Sequence, residues 1–529
     1  MLTAAEWQRL ADSRSVALRR LLTNVYGAHN ATIEDRCRRL TAMADHYAAR
    51  FGDAPVVVAR APGRVNLMGR HVDHQGGHCN MMAIEPDVFV MAGRGPLGKL
   101  RLTNLHRARF PDAEVDLEDI LDGYRGGSWA DYVASASVRE RAQRAGGSWH
   151  YYIVAALARL TAECPEEAPR GLQAVVAGNV PVAAGLSSSS ALVVATTEAL
   201  CGLAGIELPP ERFVQLCAEA EWYVGTRGGA GDQAAMKYGR QGCVVQLSFH
   251  PLRVGETAAW PDGYALLVAH SGQEARKSGN ARDVFNQRVA CYHIGREMLR
   301  RRFPQLTGRV QHLRDLTPHS LNWRDAEVAR LIKSLPEKLA RSQVADVIGA
   351  EMAEKLLATH DCGHAPYPIR GVVVFGLAEC ERSRGCIRLL QEQDMASVGR
   401  YMQISHDGDR VSSRDGRWQW ADGKPYDDHA VEQLIMRCAS GQPLAEEPGA
   451  YACSTPEIDS MVDTLLNIPG VLGAQLSGAG LGGSMMALMN ARVLEEAQRT
   501  LKRDYYDIRG LSPMMIACRP VAGCGILRP

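Results

Sequence analysis

Leu172 to Ala177 is an apolar run interrupted only by Gln173, the pattern of a short buried strand. A small-residue turn, Ala183-Ala184-Gly185, leads to four serines, Ser187–Ser190, and then to a long apolar helical stretch from Ala191 to Leu203. Serines ahead of a helix can cap its free amides, and a helix start reached through a side-chain-poor turn is a natural anion site. No lysine lies in the loop, so it is not the GxxxxGK[ST] phosphate loop. A seat this tight between strand and helix also argues against a flexible Ser/Gly linker.

The same pattern predicts the neighbouring elements. Arg36–Phe51 places Leu40, Met43, Ala44 and Tyr47 on one helical face, and Val56–Ala59 is a strand. Met81–Gly93 and Lys99–Leu105 alternate as strands; Tyr152–Leu160 and Arg212–Gly225 are helical; Gly225–Gly231 is a glycine-rich bend. Cys243–Phe249 and Tyr264–His270 are strands, after which helical spacing dominates to Met402, interrupted by a strand-like Val372–Phe375. Residues 407–450 are polar and rich in Asp, Gly and Trp, the composition of an insertion or a mobile segment. Ile458–Leu466 is helical, Leu472–Leu476 is a strand, and Met514–Ala517 is strand-like.

A chain of 529 residues exceeds one ordinary core, so two domains are expected, 1–260 and 261–529, with residues 1–30 an extension of no evident chemistry. A formal net charge of +1, with arginines spread rather than clustered, argues against a nucleic-acid surface. No apolar run reaches the roughly 20 residues that span a bilayer. Fourteen cysteines without a CxxC point to a reduced, cytoplasmic protein without structural zinc. The oligomeric state stays open.

Pro181–Ala191, PVAAGLSSSSA, resembles the phosphate-binding motif of the GHMP small-molecule kinases. Ala59–Gly77, ARAPGRVNLMGRHVDHQGG, is similar to the N-terminal sugar-binding signature of galactokinases, and Leu476–Met489, LSGAGLGGSMMALM, to the family's C-terminal glycine motif. Three motifs in family order make the resemblance specific. It implies a two-domain α+β fold with the active site in the cleft between domains, Mg-ATP as phosphate donor, and a sugar as acceptor.

Carried onto this chain, the resemblance implies that Asp232, in Gly231-Asp232-Gln233, orients the sugar hydroxyl and receives its proton, with Arg64 as its cationic partner. On sequence alone, an Asp after glycines is more often a helix cap, and Arg64 could be structural. Gly185, Leu186, Ser187, Ser188, Ser189, Ser190 and Gly480 are the implied ATP-binding residues, with a hydroxyl such as that of Ser188 reaching the magnesium. The family's magnesium-binding glutamate falls on Ala220 here, flanked by Glu219 and Glu221; Glu221 is the candidate. Gly478–Gly483 also satisfies GxGxxG, but too little chain follows it for a dinucleotide fold.

Arg70, His71, Asp73, Gly231 and Phe285 are the candidate sugar-binding residues. Galactokinases have a glutamate at the position of Arg70 and a tyrosine at that of Phe285, and the Asp73–Gly77 run is similar to that of galacturonate kinases. A bidentate donor in place of an acceptor suits a carboxylate-bearing substrate, so the expectation is a sugar 1-kinase acting on galactose or on a uronic acid such as galacturonate. The competing reading of Arg70 is a pair with an acid of the protein itself. The alternative from another class is a catalytically silent sugar sensor on the same fold.

Overall fold

Strand Pro55–Met68 carries the first half of the Ala59–Gly77 signature, running ten residues beyond the four expected of it as a strand and pairing antiparallel with the long strand His78–Arg94. In this computed structural model the described residues are all but 119, 125, 183, 226–228, 275–279, 415–416 and 421–423, with the side chains of 280–282 also excluded. Residues 226–228 of the bend expected over Gly225–Gly231 and the first residue of the turn before the serines lie outside them.

Two sheets organise the chain. The large one runs in the order Leu2–Thr3, Pro55–Met68, His78–Arg94, Leu172–Gly178, Lys99–Asn104, Ala113–Asp116. The strand Cys243–Ser248 joins it along His78–Met81, and Arg253–Ala259 pairs outside that strand. The small sheet is antiparallel, in the order Val471–Ser477, Ser484–Asn490, Tyr264–His270, Met515–Cys518. A division at 260 separates the strands of the two sheets with one exception: Gly525–Ile526 returns to pair with Pro55–Met68.

Side chains alternate across a pleated strand, and the large sheet uses both faces. Val57, Ala59, Val88, Val90, Ala174 and Val176 face one core, against the serine helix Ser188–Ala204. Val56, Val58, Phe89, Met91, Val175 and Ala177 face the other, covered by the helices Ala4–Asp12, Val16–Tyr26 and Asn30–Phe51. Residues 1–30 thus cover a sheet face that would otherwise expose apolar side chains. The fully buried Asp87 carboxylate pins them there, accepting from Tyr26, Arg36, Arg39 and Arg60.

Two sequence expectations are corrected. Val372–Phe375 is not a strand but the start of the buried helix Ile369–Gln391. A short β-branched apolar run reads alike in either state, and its four residues are fully buried on a helix surrounded by protein. Residues 407–450, expected to be an insertion or a mobile segment, are in part helical. They contain the end of helix Met395–Asp409, the helix Asp428–Ala439 and a turn at Leu444–Glu446, packed into a separate helical core with Asn280–Arg302 and Asp325–Lys333. The polar residues that suggested an insertion include Asp409, a buried anion with dedicated partners.

Candidate active site

Arg64 leaves the strand Pro55–Met68 and meets Asp232, the second residue of helix Gly231–Tyr238. The pair is bidentate: Nε donates to Oδ1 at 2.7 Å and Nη2 to Oδ2 at 2.9 Å. Such a fork fixes the carboxylate in plane as well as in position. The remaining guanidinium nitrogen, Nη1, donates to the Gly185 carbonyl at 2.7 Å, so the same side chain also grips the serine loop. The Ser187 hydroxyl donates to Asp232 Oδ2.

That contact corrects the expected cap. Ser187 sits in the left-handed region (φ 60°) and makes no side-chain bond to the helix start, because its hydroxyl is turned to Asp232. The loop's carbonyls are held from behind. Ala184 accepts from Ser484 Oγ at 2.6 Å, Gly185 from Arg64, and Leu186 from the Arg64 backbone N–H at 3.3 Å. With these oxygens engaged and the Leu186 side chain buried, the loop offers backbone N–H groups and the positive end of the helix dipole, the chemistry that holds phosphate. Ser188 and Ser189 are half-buried at the helix start, whereas Ser190 is buried.

Gly480, in the small sheet's hairpin, packs against Cys453. Its φ is +84°, and a Cβ there would run into the Cys453 carbonyl, which already accepts from the Leu481 N–H at 2.7 Å. The neighbouring Gly478 lies against Gly185.

Of the two flanking glutamates, Glu219 is committed elsewhere, accepting from Arg159 at 2.7 Å and from Gln215 at 2.9 Å. Glu221 is buried and accepts from Gln233 Nε2 at 2.6 Å, one residue along from Asp232. Its carboxylate and a serine hydroxyl are hard oxygen donors of the kind Mg²⁺ takes alongside phosphate oxygens and waters.

Asp73 borders the same place. Its Oδ2 lies close enough to Gly229 and Gly231 that a Cβ on either would touch it, and its Oδ1 takes a 3.2 Å contact from His74 Nδ1. Burial works to raise this carboxyl, but the His74 hydrogen bond and charge, aided by His71, hold it below its ordinary value. It stays ionised and can accept from sugar hydroxyls. Phe285, on helix Asn280–Arg302, is half-buried with its ring 6.2 Å from that of His71.

Arg70 is where the structure overturns the sequence expectation. It is 2% exposed and turned into the protein, donating to Asp409 at 2.8 Å, to Ser405 at 3.0 Å and to Gln475. His71 Nε2 lies 3.4 Å from the other Asp409 oxygen, and its ring stacks on Tyr451 at 4.2 Å. Burial would raise the Asp409 carboxyl, but the charges of His71 and Arg70 hold it well below the usual carboxylate range. Behind it, Glu379 accepts from the Gly69 and Arg70 amides, from Arg382 and from Ser405. Arg70 therefore does not present its charge to a substrate carboxylate. It and His71 fasten the signature to the helices Ile369–Gln391 and Met395–Asp409. Sequence reading missed Ser484, Asp409 and Glu379; only Ser484, directly after Gly483 within the glycine motif, had a local signal.

Residues 151–240 match the GHMP kinases N terminal domain, 45–94 the galactokinase galactose-binding signature, and 427–507 the GHMP kinases C terminal domain. With the phosphate loop and the Arg64–Asp232 pair in place, the chain belongs to the GHMP small-molecule kinases. It is 26% identical over 484 residues to a galactokinase of Chloroflexus aggregans, covering 90% of this chain and 94% of that one. A Dictyostelium discoideum galactokinase is 25% identical over 470 residues, covering 86% and 85%. The fold superposes on that of Lactococcus lactis galactokinase complexed with galactose, with a TM-score of 0.64 and 18% identity, covering 91% of this chain and 98% of that one. Within its superfamily this is a galactokinase-like sugar kinase.

Proposed function

We propose that the protein transfers the γ-phosphate of ATP to the anomeric hydroxyl of galactose. The observation that carries this is the bidentate Arg64–Asp232 pair, tied through Gly185 and Ser187 to a phosphate-binding loop and standing beside Asp73. Asp73 accepts from ring hydroxyls and sets the sugar's orientation. Asp232 holds the anomeric hydroxyl in line and takes its proton as the new O–P bond forms and the bond to the β-phosphate breaks. Arg64 keeps the carboxylate fixed and faces the charge that develops between it and the loop. Mg²⁺, held by Ser188 and Glu221, would supply charge neutralisation on the phosphate oxygens.

A uronic acid as substrate rested on Arg70, together with Phe285 and the Asp73–Gly77 run, and the engagement of Arg70 with Asp409 removes the charge that was to bind the carboxylate. The Arg64–Asp232 pair likewise favours an enzyme over a silent sensor.

The test is ADP release with galactose, glucose and galacturonate, in the native protein and in Asp232→Asn. Galactose should be turned over preferentially. The variant should bind ATP normally and lose turnover by roughly 10²- to 10⁴-fold. A variant with near-native turnover, or a native protein inert toward galactose, contradicts the reading.

A further inference from the structure

Most buried tyrosine hydroxyls in this chain have a partner: Tyr132 and Tyr223 donate to the Ile120 carbonyl, Tyr426 to Glu447, and Tyr505 to the Ser271 carbonyl. Tyr292 and Tyr451 are fully buried neighbours, ring centroids 5.6 Å apart, and neither hydroxyl meets a hydrogen-bond partner among the described residues. His74 Nε2 is a third such atom, with its ring 5.9 Å from Tyr292. A buried polar group left unmatched is costly, so three in one cluster need an explanation.

The cluster lies against the sugar-binding side of the site. Tyr292 follows Phe285 by seven residues on helix Asn280–Arg302, two turns along the same face. Phe285 lies over His71, and Tyr292 over His74, whose Nδ1 contacts the Asp73 carboxylate. Nδ1 faces the Asp73 carboxylate, which leaves Nε2 as the ring nitrogen without a partner among the described residues. Burial, reinforced by nearby acidic groups, raises the Tyr292 and Tyr451 phenols well above their ordinary value, so both keep a proton to donate. Gly376 packs on the Tyr292 ring, where a Cβ would collide with it.

We propose that Tyr292, backed by Tyr451 and His74, is a specificity-determining residue whose hydroxyl bonds a sugar hydroxyl remote from the anomeric centre. This rests on the galactose reading above.

The experiment uses Tyr292→Phe in the full-length protein, with Tyr451→Phe as a second variant. Removing an unmatched hydroxyl should leave the melting temperature of the sugar-free protein unchanged or raised. The rise in melting temperature on adding galactose should shrink, and kcat/KM for galactose should fall about 5- to 10-fold, mainly through KM. Comparing galactose with 4-deoxygalactose and 6-deoxygalactose identifies the partner, since the penalty for the missing hydroxyl should vanish in the variant. Unchanged deoxy-sugar penalties, or a lowered melting temperature with an unaltered galactose response, would overturn the assignment and make the hydroxyl structural. A native protein that turns over no galactose defeats the substrate reading and this one together; native turnover with an indifferent variant defeats this one alone.

Discussion

Replacing Arg70 by methionine would leave the Asp409 carboxylate buried without its guanidinium, a loss on the order of 3–5 kcal/mol for a desolvated pair. Denaturant unfolding of Arg70→Met should show that loss, and adding Asp409→Asn should recover part of it. A variant as stable as the native protein would mean the pair is not the anchor described. The galactose-to-galacturonate ratio should not move in whatever Arg70→Met remains folded. Arg64 and Asp232 were legible in the sequence because each sits in a short stretch whose neighbours announce it. Arg70 was not, because its partner is 339 residues away and a lone arginine looks the same facing substrate or facing core. The serine loop was legible as a turn leading into a helix, but the Ser187 hydroxyl's attachment to Asp232 was hidden for the same reason.

At the scale of elements, the serine helix and its strand were readable because both are long apolar runs flanked by small residues. What holds the loop between them comes from the other sheet: Ser484 opens the strand Ser484–Asn490 and donates to the Ala184 carbonyl. Ser484→Ala leaves that carbonyl without its partner and lets the turn relax. The expected result is a KM for ATP raised roughly 3- to 10-fold with the sugar KM unchanged, and Ser484→Thr restoring most of it. Equal rises in both KM values would point to a general loosening instead. Periodicity could not distinguish Val372–Phe375 as helix, since a fully surrounded helix has no polar face to set the period.

For the molecule as a whole, acid sensitivity should begin with its histidines. Burial, helped by Arg296, His74 and His312, pulls His293 down to about 4, and His78, His250 and His312 are lowered in the same direction, chiefly by burial. Each folded value lies below that of the unfolded chain, about 6.5. As pH falls, the unfolded state takes the proton first, so this stability is complete above about 6.5 and drains away toward lower pH. The melting temperature should fall between pH 7 and 5, before carboxylate protonation matters, and His293→Gln should flatten the decline. A flat native profile over that range would sink the idea. The longer strands of both sheets were legible in the sequence, but the return of Gly525–Ile526 was not, since two residues are too short to have a pattern. That return has a consequence for how the protein is made. Pro55–Met68 is made long before Gly525 and Ile526, and the Ala522 and Gly523 carbonyls that Arg60 needs follow it by 462 and 463 residues. The first sheet therefore waits through synthesis of the second with one partner missing, and closes only once those residues have been made.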